Sequence, residues 1–210
     1  MLSSRPFRSA LSDQQGVALT EFALTLPMFL ALIMGGIEVT HLALVNLRLS
    51  HVAETAADNA SRVRGQMDET DIEEIFAGIQ KEGEPINLDA KGRVILSSVE
   101  DNKRPGNGRG QKVTWQRCSG QKKTPPKYGT EGKGKDDNSL KDGIGPTGKK
   151  VAAQPGTAVM FVEVTYDYTP AIFDKLIKAR EIRYETAFNV RERTELGITN
   201  VKSKTAKKCT

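Results

Sequence analysis

The sequence predicts an α+β protein: a long N-terminal hydrophobic helix, then a small, mostly antiparallel sheet domain with short helices. Two observations lead to this prediction. Residues 22–37 form an uncharged apolar run, and the chain beyond about Gly65 is polar, glycine-rich and divided into short segments. The 210 residues, of which 27% are charged and 38% hydrophobic, suit one anchor and a small soluble domain, not a polytopic membrane protein.

The apolar run is long enough to cross a membrane. A spanning helix needs about 20 mainly apolar residues, and this run resumes after Glu38 and His41 to reach Leu47. A secretory signal would have an apolar region of about 7–15 residues before an A-x-A site, and neither condition is met here. Arg5 and Arg8 precede the run, so the positive-inside rule places the N-terminus in the cytoplasm.

An acidic residue stands near the start of the run. Glu21 lies five residues after Gly16 in the string GVALTEF, and an ionised carboxylate in a bilayer costs about 2.5–3.5 kcal/mol on insertion scales. A cut between Gly16 and Val17 would place a new α-amino group about 6 Å from Glu21 along a helix. The plainer alternative is a carboxylate that interacts favourably with the N-terminal end of an anchor helix.

Small residues and a proline interrupt the apolar helix. Pro27 removes the hydrogen bond to the carbonyl of Ala23, and we expect that turn to be kinked or loosened. Ala31 and Gly35 form a small-xxx-small pair, and Gly36 widens the notch, which is typical of closely packed membrane helices. Small residues are also common in membrane helices without a packing role, so this alternative stays open.

The helix is expected to continue beyond the membrane. Residues 48–65 are predicted to form an amphipathic extension that packs on the soluble domain or on other helices, with Gly65 as its stop. A helix over residues 12–64 would be about 80 Å long. The extension is indicated by apolar residues at steps of three and four, namely Leu42, Val45, Leu49, Val52 and Ala56.

Residues 66–192 are predicted to form the soluble α+β domain. Thr70 and Glu73 fit a capping box that starts a helix ending near Gln80. Residues 119–150, rich in Gly, Lys and Pro, predict a long exposed loop; a short helix follows Pro170, and the basic tail 193–210 is expected to be frayed. Strands are predicted at Ile86–Asp89, Arg93–Val99, Lys112–Arg117, Val159–Tyr168 and Ile182–Val190.

The two cysteines, Cys118 and Cys209, are candidates for a disulfide if the domain is extracytoplasmic. Such a bond would tie the tail to a strand and close a loop of about 90 residues. Two free thiols or an intermolecular bond are the alternatives.

The sequence offers no catalytic, metal or cofactor site. His41 and His51 lie ten residues apart on one helix and point to different faces, and no cluster has zinc spacing. Residues 136–138 with Asp142 could bind Ca²⁺, but they lack the EF-hand pattern, so a solvated charged turn is favoured. The basic tail and loop lack the interleaved aromatic residues, or a recognised module, that are typical of nucleic-acid binding. We therefore predict neither an enzyme nor a partner among nucleic acids or small-molecule substrates.

Both ends of the chain resemble a known family. The Gly16 to Glu21 spacing, followed by a long apolar helix, resembles the class III prepilin signal, with VALT where that signal usually has Phe-Thr-Leu-Ile. The continuation LTLP to Pro27 and GGIE at 35–38 is similar to TadE-like pseudopilins of tight-adherence (Flp) pilus systems. Residues 162–170, VEVTYDYTP, resemble that family's V-x-V-x-Y-x-Y-x-P strand, and residues 188–193 its final strand.

The resemblance implies a pilin-like fold and a structural function. Residues 1–16 would be a prepilin leader, removed after Gly16, and residues 17–47 a transmembrane and assembly helix. The resemblance further implies a minor pseudopilin of a type IV pilus, because major Flp pilins are much shorter. It would be a single-pass protein of the bacterial inner membrane with a periplasmic C-terminal domain, or part of the extracellular pilus. Its partners would be the prepilin peptidase, other pilins and pseudopilins, and the pilus assembly platform. The alternative is an uncleaved single-pass protein whose periplasmic domain binds another protein.

Overall fold

The computed structural model describes residues 14–172, 177–193 and 195–209. The chain divides into two units. The helix unit consists of Met1–Leu42 and Pro170–Lys178, and the sheet unit consists of Ala43–Thr169 and Ala179–Thr210. One helix, α1 (Gln14–Arg62), contributes its first part to the helix unit and its last part to the sheet unit.

The predicted fold class is confirmed, because a long apolar helix precedes a small antiparallel sheet with short helices. The sheet has four strands in the order β3-β2-β4-β5, all antiparallel, and a separate two-stranded parallel sheet pairs β1 with β6. The elements after α1 are β1 (Met67–Asp68), α2 (Glu69–Gly83), α3 (Leu88–Lys91), β2 (Gly92–Asp101), β3 (Gln111–Ser119), β4 (Ala158–Tyr168), β5 (Arg180–Asn189) and β6 (Ile198–Thr199).

The last part of α1 belongs to the hydrophobic core of the sheet unit. Its buried residues recur at steps of three and four, as an amphipathic helix requires, and four of them are alanines, which leave room for close packing. The helix ends at Arg62, and Gly65 follows in the left-handed region at φ 71°. The buried residues of this face are Val45, Leu49, Val52, Ala53, Ala56, Ala57 and Ala60.

Helix α2 starts at a capping box that the sequence analysis placed two residues too late. Asp68 is the N-cap: its carboxylate accepts a hydrogen bond from the Thr70 N–H at 2.9 Å, and Asp71 accepts one from the Asp68 N–H at 2.8 Å. The predicted box at Thr70 and Glu73 is therefore wrong. Aspartate is the stronger N-cap residue, and strand β1 leaves Asp68 in the extended conformation that a cap needs.

The predicted strand Ile86–Asp89 is also wrong. A short 3₁₀ helix (Glu84–Ile86) contains Pro85 in its first turn, and Asn87 adopts a left-handed conformation at φ 54° before helix α3. A residue with positive φ breaks an extended strand. The buried side chains of Ile86 and Leu88 gave the segment its apolar alternation, which resembled a strand.

The loop at 119–150 is irregular, as predicted, but it is not simply exposed. Leu140 and Ile144 are 5% and 1% exposed and belong to a second hydrophobic cluster with Phe161 on β4. Tyr128 packs edge-on against Phe161, with ring centroids 5.5 Å apart. The few apolar residues of the loop therefore hold it against the sheet, because Tyr128, Leu140 and Ile144 all pack in the same cluster.

The tail is ordered by specific contacts, so the prediction of a frayed tail is wrong. Arg193 donates to the Ala60 carbonyl at 2.6 Å and thereby satisfies the C-terminal end of α1. Strand β6 pairs with β1, and the Cys118 N–H donates to the Lys207 carbonyl at 2.8 Å. A disulfide joins Cys118 and Cys209, whose Cα atoms are 5.1 Å apart.

The short helix predicted after Pro170 falls mostly outside the described residues. Ala171 and Ile172 form a bend, and residues 173–176 are not described.

Asp68 also gives the fold a defined acid sensitivity. Hydrogen bonds from the Val201 N–H, from Thr70 and from the Thr199 hydroxyl hold the pKa of its carboxyl well below the usual range. A lowered folded-state pKa contributes stability above the unfolded pKa of about 3.9, and this stability is lost as pH falls through the folded pKa. We expect Asp68→Asn to lower the free energy of unfolding at pH 7 and to have a smaller effect at pH 3, where part of this stabilisation is already lost, measured by urea unfolding.

The control is the exposed Asp136, whose Asp136→Asn variant should unfold like the original protein at both pH values. An effect of Asp68→Asn that is equal at pH 7 and pH 3 would contradict the charge-dependent role of Asp68.

Candidate functional site

The first part of α1 presents large apolar side chains on its outer surface. Leu19, Leu24 and Met28 are 69%, 79% and 70% exposed, and other apolar residues from Val17 to Ile37 are also exposed. Burying a side chain of this size is worth about 1.5–3 kcal/mol, so the surface needs lipid or apolar helices around it. Within the described residues one helix, Gly16–Arg62, is long and apolar enough to cross a membrane, and it is a candidate membrane anchor.

The predicted processing residues lie in this exposed helix. α1 is already helical at Gly16, and no neighbouring atom in the described chain lies within 4 Å of the position a Cβ would take there. Val17 and Glu21 are four residues apart and therefore lie on the same helix face, and both are exposed. The geometry needed for an α-amino group at Val17 to face the Glu21 carboxylate is thus provided by the helix alone.

The predicted packing residues occupy the next turns. α1 is continuous through Pro27. Ala31 and Gly36 are exposed and Gly35 is half-buried, and within the described chain nothing lies within 4 Å of the Cβ position at Gly36. The small residues therefore form a notch that is open on at least one side to another helix or to lipid.

Glu38 is a second acidic residue of the apolar helix, and the sequence analysis treated it only as an interruption. It is fully buried at 0% exposure, although Ile37 and Val39 beside it are 51% and 57% exposed. Its carboxylate accepts hydrogen bonds from the backbone N–H groups of Ala171, at 3.1 Å to either oxygen, and Ile172, at 2.8 Å. The position of this carboxylate inside an apolar run indicates from the sequence that it needs a partner. The partner could not be identified, because it lies 133 residues away in sequence.

The sheet unit contains a buried ion pair that the sequence analysis missed. Arg117 on β3 and Glu69 at the start of α2 have side chains 5% and 4% exposed, and the Arg117 Nε donates to the Glu69 carboxylate at 2.8 Å. Glu131 from the long loop approaches the same guanidinium at 3.3 Å. Because these partners are 48 and 14 residues apart in sequence, no local pattern could have predicted them.

Glu163 is a further buried carboxylate, on β4. Burial raises its pKa, while the Lys127 N–H and the Arg183 guanidinium at 3.3 Å favour the charged form. Its partners join the long loop and β5 to the central strand, so the residue has a structural explanation.

Three of the candidate calcium ligands, Asp137, Asn138 and Asp142, have protein partners. Asp137 pairs with Lys133 at 3.1 Å, Asp142 pairs with Lys150 at 3.3 Å, and Asn138 accepts a hydrogen bond from Arg104 at 3.0 Å. Among the described residues, no group of three His, Cys, Asp or Glu side chains is placed to hold a metal ion.

Comparison with known proteins adds one finding. Residues 16–58 match the family TadE-like protein, which confirms the resemblance predicted for the N-terminal part of the chain; the match does not extend to residues 162–170 or 188–193. No curated protein and no solved structure matched the chain. The matched segment starts at Gly16 and ends within the last part of α1.

The buried ion pair generates a stability prediction. Breaking a buried ion pair by removing one partner typically costs about 3–5 kcal/mol. Arg117 keeps the half-exposed Glu131 at 3.3 Å, so we expect Glu69→Gln to lower the free energy of unfolding by up to about that amount, measured by urea unfolding of the full chain in detergent.

The matched control is Glu84→Gln, which removes the exposed Lys81–Glu84 pair. That change should cost less than about 1 kcal/mol. Equal effects of the two variants would contradict the buried pair's contribution.

Proposed function

We propose that the chain is a minor pseudopilin, a structural and assembly component of a Flp-type tight-adherence pilus, processed by a prepilin peptidase after Gly16. One observation carries the proposal: the segment that matches the TadE-like family begins at Gly16, the residue before the proposed cut. The exposed apolar helix and the position of Glu21 support it independently.

Cleavage would explain a carboxylate on an apolar surface. The mature chain would begin at Val17, and its α-amino group would lie about one helical turn, or 6 Å, from Glu21. Opposite charges attract strongly where the dielectric constant is low. The two groups can pair within one chain, or the Glu21 of one subunit can pair with the Val17 amine of its neighbour.

The same helix would serve for membrane retention and for assembly. Before assembly its exposed apolar side chains would be covered by the inner membrane, with Arg5 and Arg8 on the cytoplasmic side. In the pilus or its base, neighbouring pilin helices would replace the lipid. The open notch at Ala31, Gly35 and Gly36 allows such helices to approach closely.

Two further features support a minor, periplasmic component. The 210 residues far exceed the length that the resemblance implies for a major Flp pilin. The disulfide between Cys118 and Cys209 suits an oxidising compartment, as expected if the sheet unit has crossed the membrane.

Mass spectrometry of the membrane-bound protein tests the processing step. We expect a mature chain that begins at Val17 and has 194 residues, since removal of 16 residues from 210 leaves that number. Cells without prepilin peptidase activity should yield the uncut chain. Recovery of intact Met1 from peptidase-competent cells would overturn the processing step and favour the uncleaved protein-binding alternative.

Glu21→Ala tests the charge pairing. We expect this variant to be processed at Gly16 but to reduce pilus formation, because the α-amino group loses its partner in apolar surroundings. Sheared pilus yield and electron microscopy measure the effect. Glu54→Ala, at another exposed glutamate of α1, is the matched control and should assemble normally. Normal pilus formation by Glu21→Ala would remove the proposed pairing.

A further inference from the structure

The buried carboxylate of Glu38 holds a bend of the chain against the apolar helix. Both oxygens accept hydrogen bonds from the backbone of Ala171, and Oε2 accepts a third from Ile172. We infer that Ala171 and Ile172 form a second membrane contact, which Glu38 holds against lipid at the C-terminal edge of the membrane span. This inference requires only that α1 crosses a membrane, so it does not depend on cleavage or on pilus assembly.

The position of Glu38 along the helix places the bend at the membrane. A span needs about 20 residues, so the earliest span that begins at Val17 ends near Gly36. The distance from Val17 to Glu38 along the axis is about 32 Å, close to the hydrocarbon thickness of about 30 Å. A span of this length that begins at Leu19 or later within the apolar run includes Glu38. The residue therefore lies at the edge of the membrane or inside it.

The chemistry of the contact suits apolar surroundings. Irregular backbone at membrane depth is tolerated only where its polar groups are satisfied by protein, and the carboxylate satisfies the N–H groups of two consecutive residues. The same bonds offset the cost of burying the Glu38 charge, because charge-assisted hydrogen bonds are the strong ones. The hydrogen bonds thus offset both the cost of burying the Glu38 carboxylate and the cost of placing the two backbone N–H groups in apolar surroundings.

The surface around this contact is apolar. Ile172 is 39% exposed, and Ile37 and Val39 on the helix are 51% and 57% exposed. Lys178, in the same unit, is exposed and can extend its amine toward lipid headgroups while its aliphatic stem stays in apolar surroundings. Lipid acyl chains are the partner that this apolar surface fits.

Fluorescence quenching in vesicles tests the contact on the full-length chain. The protein is reconstituted in phosphatidylethanolamine and phosphatidylglycerol with an NBD label on Ile172→Cys. Labelling needs no reductant, because Cys118 and Cys209 are bonded to each other. Leu24→Cys, 79% exposed on the helix, and Val201→Cys, 82% exposed in the tail, are the comparison positions.

We expect lipids with a shallow nitroxide group to quench the label at Ile172 nearly as strongly as the label at Leu24. Aqueous iodide should quench it about threefold less than the label at Val201, since lipid shields the site. A label at Ile172 that iodide quenches as fully as the label at Val201, with no effect of nitroxide lipids, would overturn the inference.

Glu38→Leu then tests what holds the bend. This change keeps the helix apolar but removes the acceptors, so nitroxide quenching at Ile172 should fall by about twofold or more. Glu21→Leu is the matched control, because its carboxylate lies 17 residues earlier on the same helix, and quenching should not change. Unaltered quenching in Glu38→Leu would overturn the role of Glu38. The Ile172 measurement on the otherwise unchanged chain stands even if Glu38→Leu folds poorly.

Discussion

The exposed apolar side chains on the first part of α1 determine which surroundings the helix unit requires. Side chains such as Leu24 and Met28, 79% and 70% exposed, are covered only when lipid or other helices surround them. In such apolar surroundings, each charged side chain on the helix is energetically costly unless it has a partner. Glu38 has backbone donors from a distant bend as its partners, whereas Glu21 is exposed on the apolar surface. The Glu38 carboxylate is thus compensated within the chain, whereas compensation of Glu21 would have to come from the proposed α-amino group at Val17 or from another partner.

The sheet unit is held together mainly by contacts between residues far apart in sequence. The outer edge of β3 is covered by two segments, since Val113 exchanges backbone hydrogen bonds with Gly132 and Lys133, and Cys118 donates to Lys207. Arg193 satisfies carbonyls at the end of α1. Paired edges protect a sheet from joining the strands of another molecule. The loop and the tail, which have little regular structure, thus complete the sheet.

Local patterns predicted the elements whose cause is local. The apolar run, the three- and four-residue steps after Leu42, and the alternation in β4 all depend on near neighbours, and the structure has a helix or strand at each. The strand predicted at Ile86–Asp89 failed because Asn87 takes a left-handed conformation. The frayed tail failed because its order comes from β1, Ala60 and Cys118, which no tail pattern reveals. In the candidate site, Glu21 was visible from its spacing to Gly16, but the burial of Glu38 depends on a bend 133 residues away.

The bond between Cys118 and Cys209 sets an order of events during biogenesis. Its two ends are 91 residues apart, and the enclosed stretch contains β4, the bend at Ala171 and β5. If the chain crosses the membrane in an extended form, the first thiol emerges long before the second. The closed ring can therefore form only after β4 and β5 have arrived, so in that case an oxidised bond indicates that the chain has crossed as far as Cys209.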